Sequence, residues 1–71
     1  MLEGTVKWFD EGKKYGFIKV KGESEDIFVH LKDVKKSGYD KLYKKDIVEF
    51  KVIEDPSGRK RAIDITAYEP I

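Results

Sequence analysis

Apolar and polar residues alternate along most of this chain, and in two places the alternation separates rings from branched aliphatics. Over Tyr15-Gly16-Phe17-Ile18-Lys19-Val20, the odd positions hold Tyr15, Phe17 and Lys19, and the even ones hold Ile18 and Val20. Over Asp26-Ile27-Phe28-Val29-His30-Leu31, Phe28 and His30 share one parity, and Ile27, Val29 and Leu31 the other. Strand side chains point to alternate faces, so each stretch predicts a strand with a ring face and an aliphatic face. Lys19, Asp26 and His30 fall on the ring parity. The rings therefore meet water, and the Ile/Val set forms the core. Tyr15, Phe17 and Phe28 exposed together on a small protein imply a use for them.

The rest of the pattern gives five strands and no full helix. Strand one covers about Glu3 to Asp10, strand two Tyr15 to Lys21 and strand three Asp26 to His30, joined by the polar turns 11–14 and 22–25. Strand four covers about Asp46 to Ile53, with Val48, Phe50 and Val52 inward. Asp55-Pro56-Ser57-Gly58 is a turn with Pro second and Gly fourth. Strand five runs from about Arg61 to Tyr68, with Ile63, Ile65 and Ala67 inward. The one long connection, Leu31 to Lys45, has room for a helical turn that drops Val34 into the core, then a Ser37-Gly38 turn with Tyr39 at its tip. A meander, a long crossover and a final pair describe an all-β protein, a five-stranded antiparallel barrel. The OB-fold fits, and an SH3-like barrel is its main competitor.

Composition narrows the chemistry. At 71 residues the chain is expected to be one domain, 1–71, near the lower size limit for unaided folding. The absence of cysteine removes disulfides and thiolate metal sites, and a lone His30 makes no zinc site, so neither metal nor cofactor is expected. No apolar run reaches membrane-spanning length and the first residues begin a strand, so a cytoplasmic location is expected. Charged residues make up 41% of the chain, yet the net charge is only +1. Attraction for phosphate must then come from local clustering. Glu23, Glu25 and Asp26 crowd one turn, while Lys7, Lys13, Lys14 and Lys19 sit near the rings. The chain has no Asn or Gln, which suits heat adaptation and a low-GC codon bias alike.

Exposed rings beside lysines make a surface on which unpaired bases stack while cations hold the phosphates. The parity of Trp8 matches that of Val6, so by pattern alone it is as consistent with core as with surface, and a bulge would be needed to expose it. Lys7-Trp8-Phe9, Lys14-Tyr15-Gly16-Phe17-Ile18 and Ile27-Phe28-Val29-His30 resemble, in order and spacing, the cold-shock domain family. The likeness runs from Leu2 to about Thr66. It implies an OB-type barrel that binds single-stranded RNA or DNA and melts RNA structure without ATP. It also implies a binding face at Lys7, Trp8, Phe9, Lys13, Tyr15, Phe17, Phe28, His30 and Tyr39. This chain departs from the family pattern in four places. Lys14 stands for a glycine, Leu31 for an aromatic and Lys32-Asp33-Val34 for Ser-Ala-Ile, while Gly58-Arg59-Lys60-Arg61 replaces Gly-Pro-Gln.

Arg59 and Arg61 join the candidate contacts because OB-folds use the loop between strands four and five for ligands. A His30 that stacks on or bonds to a base predicts tighter binding as it protonates. No nucleophile–base pair, carboxylate pair or phosphate-cradling loop suggests an enzyme. The alternative is a protein-interaction barrel that uses the same ring patch. A monomer is expected, with a domain-swapped dimer left open.

Overall fold

The protein is described by a computed structural model covering residues 1–68. The two ring- and aliphatic-sorted stretches, β2 (Tyr15–Val20) and β3 (Asp26–His30), form an antiparallel meander with the preceding β1 (Leu2–Asp10). A short helix α1 (Leu31–Lys36) follows, then β4 (Ile47–Glu54) and β5 (Lys60–Tyr68). β1 bonds to β2 on one edge and β4 on the other, and the strand order β1-β2-β3-β5-β4 closes on itself. This is the OB-type barrel. Its one amendment is that β3 and β5 meet in parallel, at the Phe28–Arg61 pair. A closed ring of five strands cannot alternate direction at every joint, so one joint must be parallel.

The interior is filled as the alternation predicts for most strands. Val6, Ile18, Val20, Ile27, Val29, Val48, Phe50, Ala62 and Ile65 come from strands, Val34 from α1 and Leu42 from the long connection, none above 4% exposed. Val34 enters the core as expected, and Leu42 joins it unforeseen. Strand five corrects the pattern. Ala62 and Ile65 are buried, while Ile63 is only half-buried. The cause is a bulge: Glu49 pairs with Thr66 and Lys51 with Ile63, so Phe50 alone opposes Asp64 and Ile65. Asp64 takes φ +49° there, and the inward parity of β5 changes across it.

The long connection completes the barrel wall where β3 runs out. The Ile65 N–H donates to Ser37 Oγ (2.9 Å) and the Ala67 N–H to Tyr39 Oη (3.1 Å). Both donors would otherwise lie at a strand edge without a ladder partner. At the β1–β2 turn, Asp10 Oδ1 accepts from the N–H groups of Gly12 and Lys13. Lys14 then takes φ +68°. The chain thus keeps the left-handed turn that glycine favours, with a side chain in place. Among the described residues no helix is long and apolar enough to cross a membrane.

Candidate nucleic-acid interface

A second bulge settles which way Trp8 points. Val6 pairs with Ile18 but Trp8 pairs with Phe17, so Lys7 is the extra residue of β1. Past it the parity reverses, and Trp8 leaves the face of Val6 for that of the rings. Gly16 allows the close approach of β1: a Cβ there would run into the Trp8 carbonyl and the Phe9 backbone. The signal for this was present in the sequence, since a glycine inside a strand marks such contacts.

Five half-buried rings from three strands now share one face. The Trp8 ring centroid lies 5.5 Å from that of Tyr15 and 5.4 Å from that of Phe17. Tyr15 stacks on Phe28 at 5.6 Å and 26°. Phe17 meets its cross-strand partner Phe28 edge-to-face at 5.9 Å, and His30 lies 6.2 Å from Phe28. Aromatic pairs of this kind support one another by about 0.5–1.5 kcal/mol each beyond area burial. The platform is therefore held by itself and by the sheet beneath it.

Not every expected contact joins this platform. Phe9, one residue after the bulge, is half-buried and packs against the core. Tyr39 also leans on the core, and its hydroxyl accepts the Ala67 N–H of β5. Leu31, where the family favours a ring, packs against the core at the start of α1. His30 serves the helix as well as the platform, since its Nδ1 accepts the Lys32 N–H at 3.0 Å and caps α1. A proton on Nδ1 would add a cation to the platform but end the cap. The two effects oppose each other.

Three of the cations around the rings face carboxylates. Lys7 Nζ lies 3.0 Å from Asp26 Oδ2, and Lys60 Nζ 3.6 Å from Glu25 Oε1. Arg61 Nε lies 3.1 Å from Oδ2 of the nearly buried Asp33. Its N–H is not aimed at that oxygen, so the contact is an ion pair without an aligned hydrogen bond. Lys13 and Lys14, on the β1–β2 turn, have no carboxylate within 4.0 Å among the described residues. The Arg59 guanidinium lies over Phe28, 4.9 Å from the ring centroid. An open groove separates the rings from the β4–β5 turn, with Glu25, Asp26 and Lys60 along its rim. These three are contributors that ring spacing alone does not reveal. Among the described residues no group of three His, Cys, Asp or Glu side chains could hold a metal ion.

Residues 2–68, the whole strand pattern, match the family model described as the 'Cold-shock' DNA-binding domain. The chain belongs to the cold-shock domain family. Cold shock protein CspA of Staphylococcus aureus (strain USA300) is 45% identical over 62 residues, covering 87% of this chain and 92% of that protein. Its counterpart in Staphylococcus saprophyticus matches to the same extent. Cold shock domain-containing protein 4 of Arabidopsis thaliana is 42% identical over 64 residues, covering 90% of this chain but 32% of that protein. The chain thus spans about a third of the plant relative. A cold-shock domain is a nucleic-acid-binding domain, and in this one the five rings lie on a single face.

Proposed function

We propose that this chain is a single cold-shock domain, 1–71, that binds single-stranded RNA or DNA and acts as an ATP-independent RNA chaperone in the cytoplasm. Unpaired bases stack on Trp8, Tyr15, Phe17, Phe28 and His30, Lys13 and Lys7 meet phosphates, and Arg59 stands beside the base on Phe28. The observation that carries this reading is the contact of these rings across three strands on one face. Each stacked base is worth roughly 1–3 kcal/mol, with little dependence on sequence. Stacking competes directly with RNA secondary structure, because a base held on a ring cannot pair. Phe9, Tyr39 and Arg61 contribute by shaping the barrel and its loops, given where their side chains lie.

A protein-interaction barrel is the second reading, favoured by the pairing of Lys7 with Asp26 and Lys60 with Glu25. Salt separates the two. Trp8 fluorescence is followed during titration with heptameric oligothymidine at about 50 mM and then about 300 mM salt, with a slope near −0.7 per phosphate expected for single strands. Saturable quenching that weakens with salt supports strand binding. No quenching at either salt rejects it and turns the ring patch toward a protein partner.

A further inference from the structure

Three consecutive cations, Arg59, Lys60 and Arg61, lead from the turn into β5, and two of them are held by carboxylates: Lys60 by Glu25 and Arg61 by Asp33. Arg59, the remaining one, has no carboxylate within 4.0 Å among the described residues. Its guanidinium carbon instead lies 4.9 Å from the Phe28 ring centroid. The backbone beneath it is fixed. Asp55 Oδ1 accepts the Arg59 N–H at 2.9 Å and also the Ser57 N–H and hydroxyl, while Asp55 N–H donates to the Arg59 carbonyl at 2.9 Å. A long, exposed side chain thus springs from a rigid point beside the platform.

A guanidinium is flat, delocalised and prone to lie on aromatic faces, as a nucleobase is. On Phe28 it takes the place a base would take. A base inserted between the two would need a stacking gap of about 3.4 Å on each side, more than the 4.9 Å present. A base on that face of Phe28 and the guanidinium therefore exclude each other.

We propose that Arg59 selects the base bound on Phe28. This rests on the reading above that Phe28 receives a base. Any base that stacks there displaces the guanidinium and costs the Arg59–Phe28 contact. The displaced group, tethered at a fixed Cα, stays at the edge of the incoming base. It carries donors only, so it rewards a base that presents two adjacent acceptors, as guanine does with O6 and N7. Thymine offers less, because an N–H separates its two carbonyl oxygens. The free protein thereby carries its own competitor, and the loss of that contact is offset for acceptor-rich bases alone.

The test compares the full chain with Arg59→Lys and Arg59→Ala on two heptamers, all-thymine and alternating thymine–guanine, in which a shift of one nucleotide is enough to bring a guanine onto Phe28. The expected result is that the parent chain prefers the guanine-bearing strand. Arg59→Lys, which keeps the charge but not the flat fork, should lose that preference by about tenfold, the scale of a bidentate arginine–guanine contact. It should bind all-thymine at least as tightly as the parent. An unchanged preference in Arg59→Lys overturns the proposal. So does an equal loss on both strands in Arg59→Ala with a salt slope shallower by about 0.7, which would mark a phosphate contact. Failure of the parent chain to bind either strand removes the strand-binding reading itself, and this proposal with it. All-thymine binding with no effect of either variant on preference removes this proposal alone.

Discussion

The Lys7 ammonium lies 3.0 Å from the Asp26 carboxylate, a contact that spans from the bulge of β1 to the first residue of β3. With both side chains partly exposed, the pair contributes at most about 1 kcal/mol to stability. Its larger effect is on ligand charge, since it holds a platform cation and places a carboxylate beside the rings. Asp26→Asn should free Lys7 and raise single-strand affinity several-fold at low salt, with a salt slope steeper by about 0.7. Titrations at three salt concentrations check this. An unchanged slope would show that Lys7 meets no phosphate.

Phe17 and Phe28 rest on the sheet but face outward, so binding and folding separate at these positions. Phe17→Ala and Phe28→Ala should each weaken oligonucleotide binding by roughly 1–3 kcal/mol. Ile18→Ala, on the opposite face of β2 and fully buried, should instead cost about 2–5 kcal/mol of stability. Urea unfolding of the three variants is the check. A loss of stability at Phe28 as large as that at Ile18 would assign the ring to the core.

Tyr39 offers a similar separation. Tyr39→Phe keeps the ring and removes only the acceptor of the Ala67 N–H. Stability should fall by about 1–3 kcal/mol, the cost of a donor left without its partner. Affinity for oligothymidine should stay within twofold. A loss of affinity without a loss of stability would reverse these roles.

Lys14 sits in the left-handed region at φ +68°, where a side chain costs roughly 1–2 kcal/mol. Glycine relieves that strain but gives back part of the gain through the freedom of its unfolded chain. Lys14→Gly should therefore stabilise by up to about 1 kcal/mol and raise Tm by about 4–8 °C for a domain of this size. Thermal unfolding measures it, and a lower Tm would contradict the strain.

The Ser57 hydroxyl, followed by the Arg59 N–H, holds the Asp55 carboxyl below its ordinary pKa. A group whose pKa falls on folding stabilises the fold above its unfolded value, and that contribution fades as pH falls through the lowered one. The stability difference between the parent and Asp55→Ala should be constant near neutrality and shrink below about pH 4. Denaturant unfolding across that range checks the sign. A difference that stays flat would mean that the backbone turn alone holds the loop.

Much of this architecture was legible because it rests on parity. Lys19 and His30 beside Phe17 and Phe28 fix the outer face, and Ile18, Ile27 and Val29 fix the inner one. Parity breaks where a strand gains a residue: the place it left open, at Trp8, and the place it misread, in β5, are both bulges. Lys7 turns Trp8 outward and Phe9 toward the core, and Asp64 exchanges Ile63 for Ala62. Nothing in a β-branched alternation announces an extra residue, and only the family resemblance put Trp8 at the surface. Side-chain partners lie further out of reach. Arg61 with Asp33 and Tyr39 with Ala67 depend on how the long connection folds over β5, which no local pattern encodes.

The double engagement of β1 also sets an order of events during synthesis. Every ring of the platform has been synthesised once His30 is added, yet Gly4, paired with Val20 of β2, finds its second neighbour only in Val48. Until β4 arrives, the nascent meander has its aromatic residues but lacks Val48 and Phe50 to fill the space behind them. Such a distant pairing is slow to form, because a long chain loop must close first. The platform therefore acquires its shape late, from residues that never touch whatever is laid upon it.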